Sequence, residues 1–496
     1  MPERPNILLI TADQMRWDCM GCVGHEVIQT PNLDGLAARG VVFRNGFTPN
    51  PICVPARASI MTGNYSHVCT GSKNNGGCIR DDQPLLTEVL KAVGYRTYAT
   101  GKLHFVPYAP PGEPRLVHGF EHVDLHESGR MLGRYDPEGK LSGVEDYFDY
   151  LKTVGWGGYT RAHGVGNNDV RPCPSPLPQE HTVDHCIADC TLRQLDHHAR
   201  AFPDRPFFIW MSSPKPHSPY DPPRPYDARY DPRTVPAPFG SVVDLDDRNP
   251  SLEHTRATHA IETLSPQAWQ VIRAYYYGCI TFLDAMIGRV LDRLKEMGWL
   301  EQTLVLFTAD HGDLLGDFGG CFKANHLNGS VRVPFVAAGP GVTQGAVSDA
   351  LVGLQDILPT FATSVETIPG QPVHGVDLTP HLADPRTPVR EYFYAQTRES
   401  PQQSVMVTDG TWKYIYSEAN ATEELYDQKN DPDERVNRVH DPSQADRLTY
   451  LRAQLRACAE ELGDTRILDG DGFASALVDR DELRKQPATG MGWRWY

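Results

Sequence analysis

The sequence lacks any long apolar segment. No run of apolar residues approaches the roughly 18 that a membrane-spanning helix needs. The apolar stretch 6–10 is shorter than the core of a signal peptide, and no Ala-x-Ala cleavage pattern follows it. We therefore expect neither a membrane span nor export, and we predict a cytoplasmic protein.

The sequence also lacks an excess of positive charge. Lys and Arg number 47 against 63 Asp and Glu, and the formal net charge is −16. This negative net charge argues against electrostatic binding to nucleic acid or to an anionic membrane, so we predict neither as a partner. An anionic substrate would need a local basic pocket within this acidic protein.

A disulfide framework is not expected either. The 11 cysteines are an odd number, and a chain that is not exported keeps its thiols reduced. Cys19 and Cys22 have the spacing of a redox or zinc motif, but no second Cys or His pair completes a site. We interpret this pair as packing residues.

The first 384 residues have the pattern of an α/β domain. Continuous apolar runs, typical of buried parallel strands, alternate with helical patterns. We predict a large, mainly parallel sheet sandwiched by helices. The predicted strands include 7–12, 95–99, 206–211 and 304–308.

A second domain is predicted over residues 385–496. Short strands at 392–394, 404–407 and 411–416 indicate a small antiparallel sheet, and a helix is expected over 443–462. The tail ends in aromatic residues, Trp493, Trp495 and Tyr496. Aromatics at a free end suit docking on a second copy, so a homo-oligomer is one interpretation of this tail.

The pentapeptide Cys53-Val54-Pro55-Ala56-Arg57 predicts an anion site around a sulfur atom. Pro55 suits a first helical turn, which places Cys53 just outside the helix and Arg57 within its first turn. Free N–H groups, the helix dipole and a guanidinium would then surround the thiol. The alternative is a buried small Cys beside a surface Arg.

Further polar residues follow the apolar strands. Asp13-Gln14 ends one strand and Asp310-His311 ends another, at the sheet edge where α/β proteins bind ligands. A lone Asp there is commonly a helix cap. Together, two carboxylates, an amide oxygen and an imidazole could hold one divalent cation, which would neutralise an ester oxyanion.

Candidate cations and imidazoles complete the set. Taken singly, each is more commonly a solvated surface residue. Taken together with Arg57, they would suit a tetrahedral anionic ester, and the imidazoles could move protons near neutral pH. They are Lys102, His104, His217 and Lys323.

In this order, the motifs resemble those of the type I sulfatases, a family of the alkaline phosphatase superfamily. The resemblance spans roughly residues 4–440 and includes segments near the C-terminal sheet. Its motifs are Asp13-Gln14, Cys53-x-Pro55-x-Arg57, Gly101-Lys102-Leu103-His104, Pro216-His217-Ser218-Pro219, Asp310-His311-Gly312, Lys323, Gly329 to Pro334, Glu424-Leu425-Tyr426-Asp427 and Asn430 to Glu434.

The resemblance implies that Cys53 is converted to formylglycine (3-oxoalanine) by a formylglycine-generating or maturase enzyme. The hydrated aldehyde would attack the sulfur of a small anionic ester. One divalent cation is implied, Ca²⁺ in most sulfatases and often Mn²⁺ in the phosphonate hydrolase branch. Its implied ligands are Asp13, Gln14, residue 53, Asp310 and His311.

The resemblance also implies a role for each basic residue. Arg57 and Lys102 would stabilise the diol and the transferred group. His217 and Lys323 would help to protonate the leaving oxygen, and His104 would take the second diol proton so that sulfate is expelled. Substrate contacts are implied for Lys102, His217, Lys323 and, more weakly, Asn75.

Two positions depart from the common family pattern. Gln14 and His311 stand where many members carry Asp and Asn, and they occur in phosphonate monoester hydrolases and choline-sulfatases. Lys102 and His104 are both present, which favours a sulfatase that yields an alcohol or phenol and sulfate.

The alternatives are a phosphonate monoester or phosphodiester hydrolase, or a non-catalytic metal- and anion-binding relative with unmodified Cys53. A cysteine phosphatase is disfavoured because three residues between Cys53 and Arg57 are too few for its loop. The alcohol half is not predicted, although the segments 105–180 and 214–250 are expected to shape its pocket.

Overall fold

A computed structural model describes residues 4–104, 115–127, 142–240, 247–259, 261 and 264–484. The predicted aromatic tail lies outside the described residues, as do two parts of the predicted loop region, 105–114 and 128–141. No helix within the described ranges has the length and apolar character needed to cross a bilayer.

Eight strands form the large sheet. They run in the order β4-β3-β5-β1-β6-β7-β2-β8. All neighbours pair in parallel except β7, which is antiparallel to both β6 and β2. The predicted mainly parallel sheet is therefore confirmed. The strands are β1 Asn6–Asp13, β2 Gly40–Phe47, β3 Arg96–Gly101, β4 His122–Leu125, β5 Phe207–Pro216, β6 Thr303–Ala309, β7 Phe335–Ala338 and β8 Ala346–Gly353.

Two groups of helices pack around this sheet. The first contains Pro31–Ala38, Val183–Ala201 and Pro266–Glu296, and the second contains Cys53–Thr62, Leu86–Ala92 and Ile357–Ser364. Shorter helices lie in the connections. They are Ser66–Cys69, Asp146–Thr153, Ser251–His259, Asn328–Val331, Thr379–Ala383 and Arg480–Arg484.

The C-terminal part forms a separate antiparallel sheet. Its strands lie in the order β12-β11-β10-β9, and the helix Ala445–Glu461 packs against it through buried leucines. This confirms the predicted small sheet with its helix, while the boundary at 384/385 stays a prediction. The strands are β9 Phe393–Thr397, β10 Ser404–Thr408, β11 Trp412–Ser417 and β12 Thr422–Asp427, followed by the two-residue strands β13 Leu468–Asp469 and β14 Gly472–Phe473.

The register of the central strands sets the position of the site. Ala12 of β1 pairs with Ala309 of β6, so that Asp13 and Asp310 lie side by side at the carboxyl end of the sheet. The N–H of Asp310 donates to the carbonyl of Ala12 at 3.2 Å. On the other side of β1, β5 and β3 end at the same edge and lead to His217 and Lys102.

Candidate active site

The helix Cys53–Thr62 begins at the candidate nucleophile itself. Ile52 is extended and caps the helix, so Cys53 is its first residue and Arg57 lies in its second turn. This corrects the sequence expectation, which placed Cys53 outside the helix and Arg57 in the first turn. The difference arises because Pro55 occupies the third helical position, where its missing N–H has no intrahelical acceptor in any case.

A buried cluster of donor atoms surrounds this helix start. Donor atoms of Asp13, Cys53, Asp310 and His311 all lie within 4.8 Å of one another. The thiol of Cys53 is 3.2 Å from Nε2 of His311. One carboxylate oxygen of Asp13, Oδ1, is buried and has no hydrogen-bond partner within the described ranges. Two carboxylates and an imidazole fit a divalent cation.

Gln14 connects this cluster to Lys323. Its side-chain N–H₂ donates to Asp313 at 2.7 Å, while its amide oxygen accepts from the Lys323 ammonium. Its backbone N–H donates to Asp310 at 3.0 Å. The role of Gln14 as a metal ligand stays a prediction. Its amide oxygen, the atom that would bind the ion, accepts from Lys323 in this structure. The sequence placed Asp313 in the acidic segment that follows the strand ending before Asp310, but it assigned no role to this residue.

Two cations lie against the carboxylates. Arg57 donates from Nε to Asp310 at 2.8 Å, and Lys102 donates to Asp13. Both cations are buried. Arg57 Nη1 also donates to the carbonyl of Lys102 at 2.7 Å and to the hydroxyl of Ser212 at 2.8 Å, which fixes its plane. The sequence singled out these cations but did not assign Ser212 to the site.

The cations around the donor cluster favour negative charge on Asp13 and Cys53. Burial alone would raise the pKa of Asp13, but Lys102, His217 and Arg57 hold it well below the usual range. Burial would likewise raise the pKa of the Cys53 thiol, yet the ammonium groups of Lys102 and Lys323 bring it down to about 6. An anion at position 53 is therefore stabilised by charges that are already in place.

The two candidate imidazoles are held differently. His104 has φ 50°, in the left-handed region, and its N–H donates to the buried carboxylate of Glu127 at 2.8 Å. Nδ1 of His217 lies 2.9 Å from the carbonyl of Ser218, which orients the ring. Glu127 follows the short strand β4, and no sequence pattern marked it as functional.

Asn75 lies at the start of the same helix. Its side-chain oxygen accepts from the N–H of Val54 at 3.0 Å, so this residue caps the helix that begins with Cys53. The side chain is exposed. Its predicted contact with a substrate oxygen stays a prediction.

A cavity that is partly open to solvent lies beside Lys102 and His217. Its wall combines part of the Pro-rich segment 214–250 with aromatic and apolar side chains, which agrees with the expectation that this segment shapes a pocket. The lining residues include Tyr147, Phe148, Leu177, Pro214, Pro219, Pro222 and Phe282.

Two known protein families match most of the chain. The Sulfatase family matches residues 5–366, and the family described as "N-sulphoglucosamine sulphohydrolase, C-terminal" matches residues 316–461.

Similar proteins extend over nearly the whole sequence. An arylsulfatase of Clostridium perfringens (strain 13 / Type A) is 33% identical over 462 residues, which cover 90% of this chain and 93% of that protein. A choline-sulfatase of Rhizobium meliloti (strain 1021) is 30% identical over 451 residues, covering 88% of this chain and 83% of that protein.

A solved structure has the same fold. The phosphonate monoester hydrolase of Agrobacterium radiobacter superposes with a TM-score of 0.76 at 24% identity, covering 95% of this chain and 100% of that one. This chain therefore belongs to the sulfatase family of the alkaline phosphatase superfamily, and it is a sulfuric ester hydrolase.

Proposed function

We propose that this protein hydrolyses small sulfate esters to an alcohol or phenol and inorganic sulfate, with residue 53 as the nucleophile. The observation that carries this proposal is the placement of Cys53 at a helix start, within 4.8 Å of the donor atoms of Asp13, Asp310 and His311. The similarity to an arylsulfatase supports the choice of substrate class. A modifying enzyme would first convert Cys53 to formylglycine.

The donor set fits one divalent cation, with Ca²⁺ as the proposed ion and Mn²⁺ as the alternative. Asp13, Asp310, His311 and the oxidised residue 53 would hold it, with Gln14 as a further candidate. When bound, the cation would polarise the sulfate oxygens, and the formylglycine hydrate would supply a hydroxyl nucleophile.

The basic residues of the chain would bind and orient the sulfate group. Arg57 is held rigidly by Asp310, the Lys102 carbonyl and Ser212, so its charge needs no rearrangement during the reaction. The Lys102 ammonium contacts Asp13, and its charge would stabilise negative charge that develops at position 53.

Proton transfer would use the three remaining residues. His217 lines the cavity beside Lys102, so its ring can reach the leaving oxygen of an ester bound there. Lys323, anchored by Gln14, would share that role. His104 would accept a proton from the nucleophile after the ester bond has broken.

Phosphonate monoester or phosphodiester hydrolysis is the second candidate function. The phosphonate monoester hydrolase of Agrobacterium radiobacter shares this fold, and His311 of the donor cluster is compatible with either reaction. The same nucleophile and cations would serve this reaction.

One preparation can distinguish the two candidate reactions and test the nucleophile. We would digest the purified protein with trypsin and measure the mass of the peptide ending at Arg57, which should carry an aldehyde in place of the thiol. The same preparation would be assayed with an aryl sulfate, a sugar sulfate, a phosphodiester and a phosphonate monoester. Turnover by protein that contains only unmodified Cys53 would refute the formylglycine mechanism.

A matched pair of variants tests the nucleophile. Cys53→Ala should lower turnover by at least about 10⁴-fold, because loss of a nucleophile removes most of the catalytic advantage. Cys22→Ala alters a half-buried thiol whose pKa burial raises to about 12, so it should keep full activity. Circular dichroism would confirm that both variants fold.

A further inference from the structure

We propose that Arg398 forms a second anion-binding site at the rim of the active site, for a carboxylate or sulfate group on the alcohol half of the substrate. This inference rests on the proposed ester hydrolysis, because it assigns a charged substituent to the ester's leaving group.

The position of Arg398 follows from two short contacts. Its Nε donates to the carbonyl of Ala324 at 3.1 Å. Ala324 directly follows Lys323, and its own N–H donates to the carbonyl of Pro51 at 3.0 Å. Arg398 therefore touches the segment that carries Lys323, at the point where this segment meets the approach to Cys53.

A second set of contacts places the turn that carries Arg398 near the loop that caps the Cys53 helix. The neighbouring Glu399 accepts from the backbone N–H of Lys73 at 2.7 Å. Lys73 belongs to the same loop as Asn75, whose side chain caps that helix at Val54. Arg398 thus belongs to a turn that contacts the Asn75 loop through Glu399 and the segment after Lys323 through Arg398 itself.

The charge of Arg398 is not neutralised by the described part of the protein. No carboxylate there lies within ion-pair distance of it, and its Nη1 donates to the neutral amide oxygen of Gln402 at 3.2 Å. The adjacent carboxylate of Glu399 is turned towards Lys73 and Arg466 instead. By contrast, Arg57 has a carboxylate partner in Asp310.

A half-buried guanidinium without an acid is costly, because burial disfavours its charge. Burial lowers the pKa of Arg398 to about 10, so the group stays charged at neutral pH. Its backbone has φ 61°, a left-handed conformation that is uncommon for any residue except Gly. Such strain is concentrated at ligand-binding positions.

The charge of Arg398 also acts on a histidine. His254, on the helix Ser251–His259, is half-buried, and Nδ1 has no hydrogen-bond partner among the described residues. Burial and then the charge of Arg398 lower the pKa of His254, so the ring is neutral near pH 7. A neutral imidazole can donate one further hydrogen bond to a group held by the guanidinium.

This chemistry identifies the class of ligand. A guanidinium binds carboxylate or sulfate through parallel, charge-assisted hydrogen bonds. With Lys323 on the adjacent segment, a substrate could present its ester to Lys323 and its second anionic group to Arg398. An ester of an uncharged phenol would offer no anionic group for Arg398 to bind.

Matched substrates test the proposal. We would compare 3- and 4-carboxyphenyl sulfate with their methyl esters, using wild-type protein, Arg398→Met and Arg398→Lys. Arg398→Met should raise KM for at least one carboxylate substrate by about 10- to 100-fold, the value of a charge-assisted hydrogen bond. KM for the methyl esters should change less than about twofold, and Arg398→Lys should recover part of the loss.

Arg386→Met provides the control, because Arg386 is exposed and pairs only with Asp384 among the described residues. Equal effects of Arg398→Met on acids and methyl esters, or no effect on either, would overturn the proposal. If the wild-type protein hydrolyses none of the four esters, the proposed function fails instead. Calorimetric binding of 3- and 4-hydroxybenzoate would still decide the inference, since Arg398→Met should weaken it about tenfold or more and unchanged affinity would refute it.

Discussion

The carboxylate of Glu127 accepts a hydrogen bond of 2.8 Å from the backbone N–H of His104. The same oxygen accepts from the N–H of Leu103, also at 2.8 Å. Glu127 is fully buried, and the turn that it holds carries Lys102 on one side and His104 on the other. Since His104 has the left-handed φ of 50°, these two bonds stabilise a backbone conformation that few non-glycine residues adopt.

Removal of the Glu127 acceptor should therefore impair catalysis more than substrate binding. We expect Glu127→Ala to lower kcat for 4-nitrophenyl sulfate by about 10- to 100-fold, because small displacements of catalytic groups cost this much. Glu127→Gln keeps an acceptor oxygen and should recover most of the loss. Glu88→Ala, at an exposed position, is the control. Equal impairment in the Ala and Gln variants would show that the charge, rather than the hydrogen bonds, is what matters.

The buried donor cluster should make thermal stability depend on a divalent cation. Chelation should lower the melting temperature and abolish turnover, and Ca²⁺ or Mn²⁺ should restore both. At a hundredfold excess over Kd, the bound ion would add about 2.7 kcal/mol to the free energy of unfolding.

Asp310→Asn should lose most of that thermal shift, because it removes one ionised donor from the cluster. Asp349→Asn changes an exposed carboxylate and should keep it. A full thermal shift in Asp310→Asn would contradict the proposed ligand set, whichever ion gives the larger effect.

The role of His217 can be measured with a series of leaving groups. If this imidazole protonates the leaving oxygen, His217→Gln should slow esters of poor leaving groups by about 10²- to 10⁴-fold. The effect on 4-nitrophenyl sulfate should be much smaller, since nitrophenolate departs without a proton. A plot of log kcat/KM against the pKa of the leaving phenol would become steeper in the variant. An unchanged slope would remove His217 from proton transfer.

Asp184 makes the stability of the fold depend on pH. It lines the cavity and is buried, and burial raises the pKa of its carboxyl to about 6, although Ser213 donates a hydrogen bond to it. The carboxyl of an unfolded chain ionises near pH 3.9. Stability from this group is therefore fully present below about pH 4 and is lost as the pH rises to about 6.

Asp184→Asn should remove this loss of stability, because an amide does not ionise. We expect the variant to be more stable than the wild type at pH 8, by up to about 2–3 kcal/mol, and equally stable at pH 4. Thermal melts at both pH values would measure the difference, with exposed Asp204→Asn as the control. A constant difference between pH 4 and pH 8 would exclude titration of Asp184 as its cause.

Part of the fold could be predicted because its signals are local. Strands β1, β5 and β6 contain continuous apolar runs, and β3 was also predicted. Their ends were predicted within two residues, except that β5 continues five residues beyond its predicted end. The strand β2 escaped prediction because Arg44 and Asn45, which are exposed or partly exposed, interrupt its apolar pattern between two buried ends. Strands β7 and β4 have only four residues each, too few to show a period.

The sequence by itself determined which chemical groups meet at the site. A buried strand ending in Asp13 and another ending before Asp310 must place both carboxylates at one sheet edge, because parallel neighbours end on the same side. The Cys-x-Pro-x-Arg motif likewise determined a helix start at the candidate nucleophile, to within one residue.

Only the tertiary structure decided how these groups are oriented. It turned the amide oxygen of Gln14 towards Lys323, and it brought Glu127 to His104 and Arg398 to Ala324. Each contact joins segments that lie on different elements and are 23 to 309 positions apart. Side-chain packing and hydrogen bonding between such segments leave no period or spacing in the sequence, so no local pattern could have revealed them.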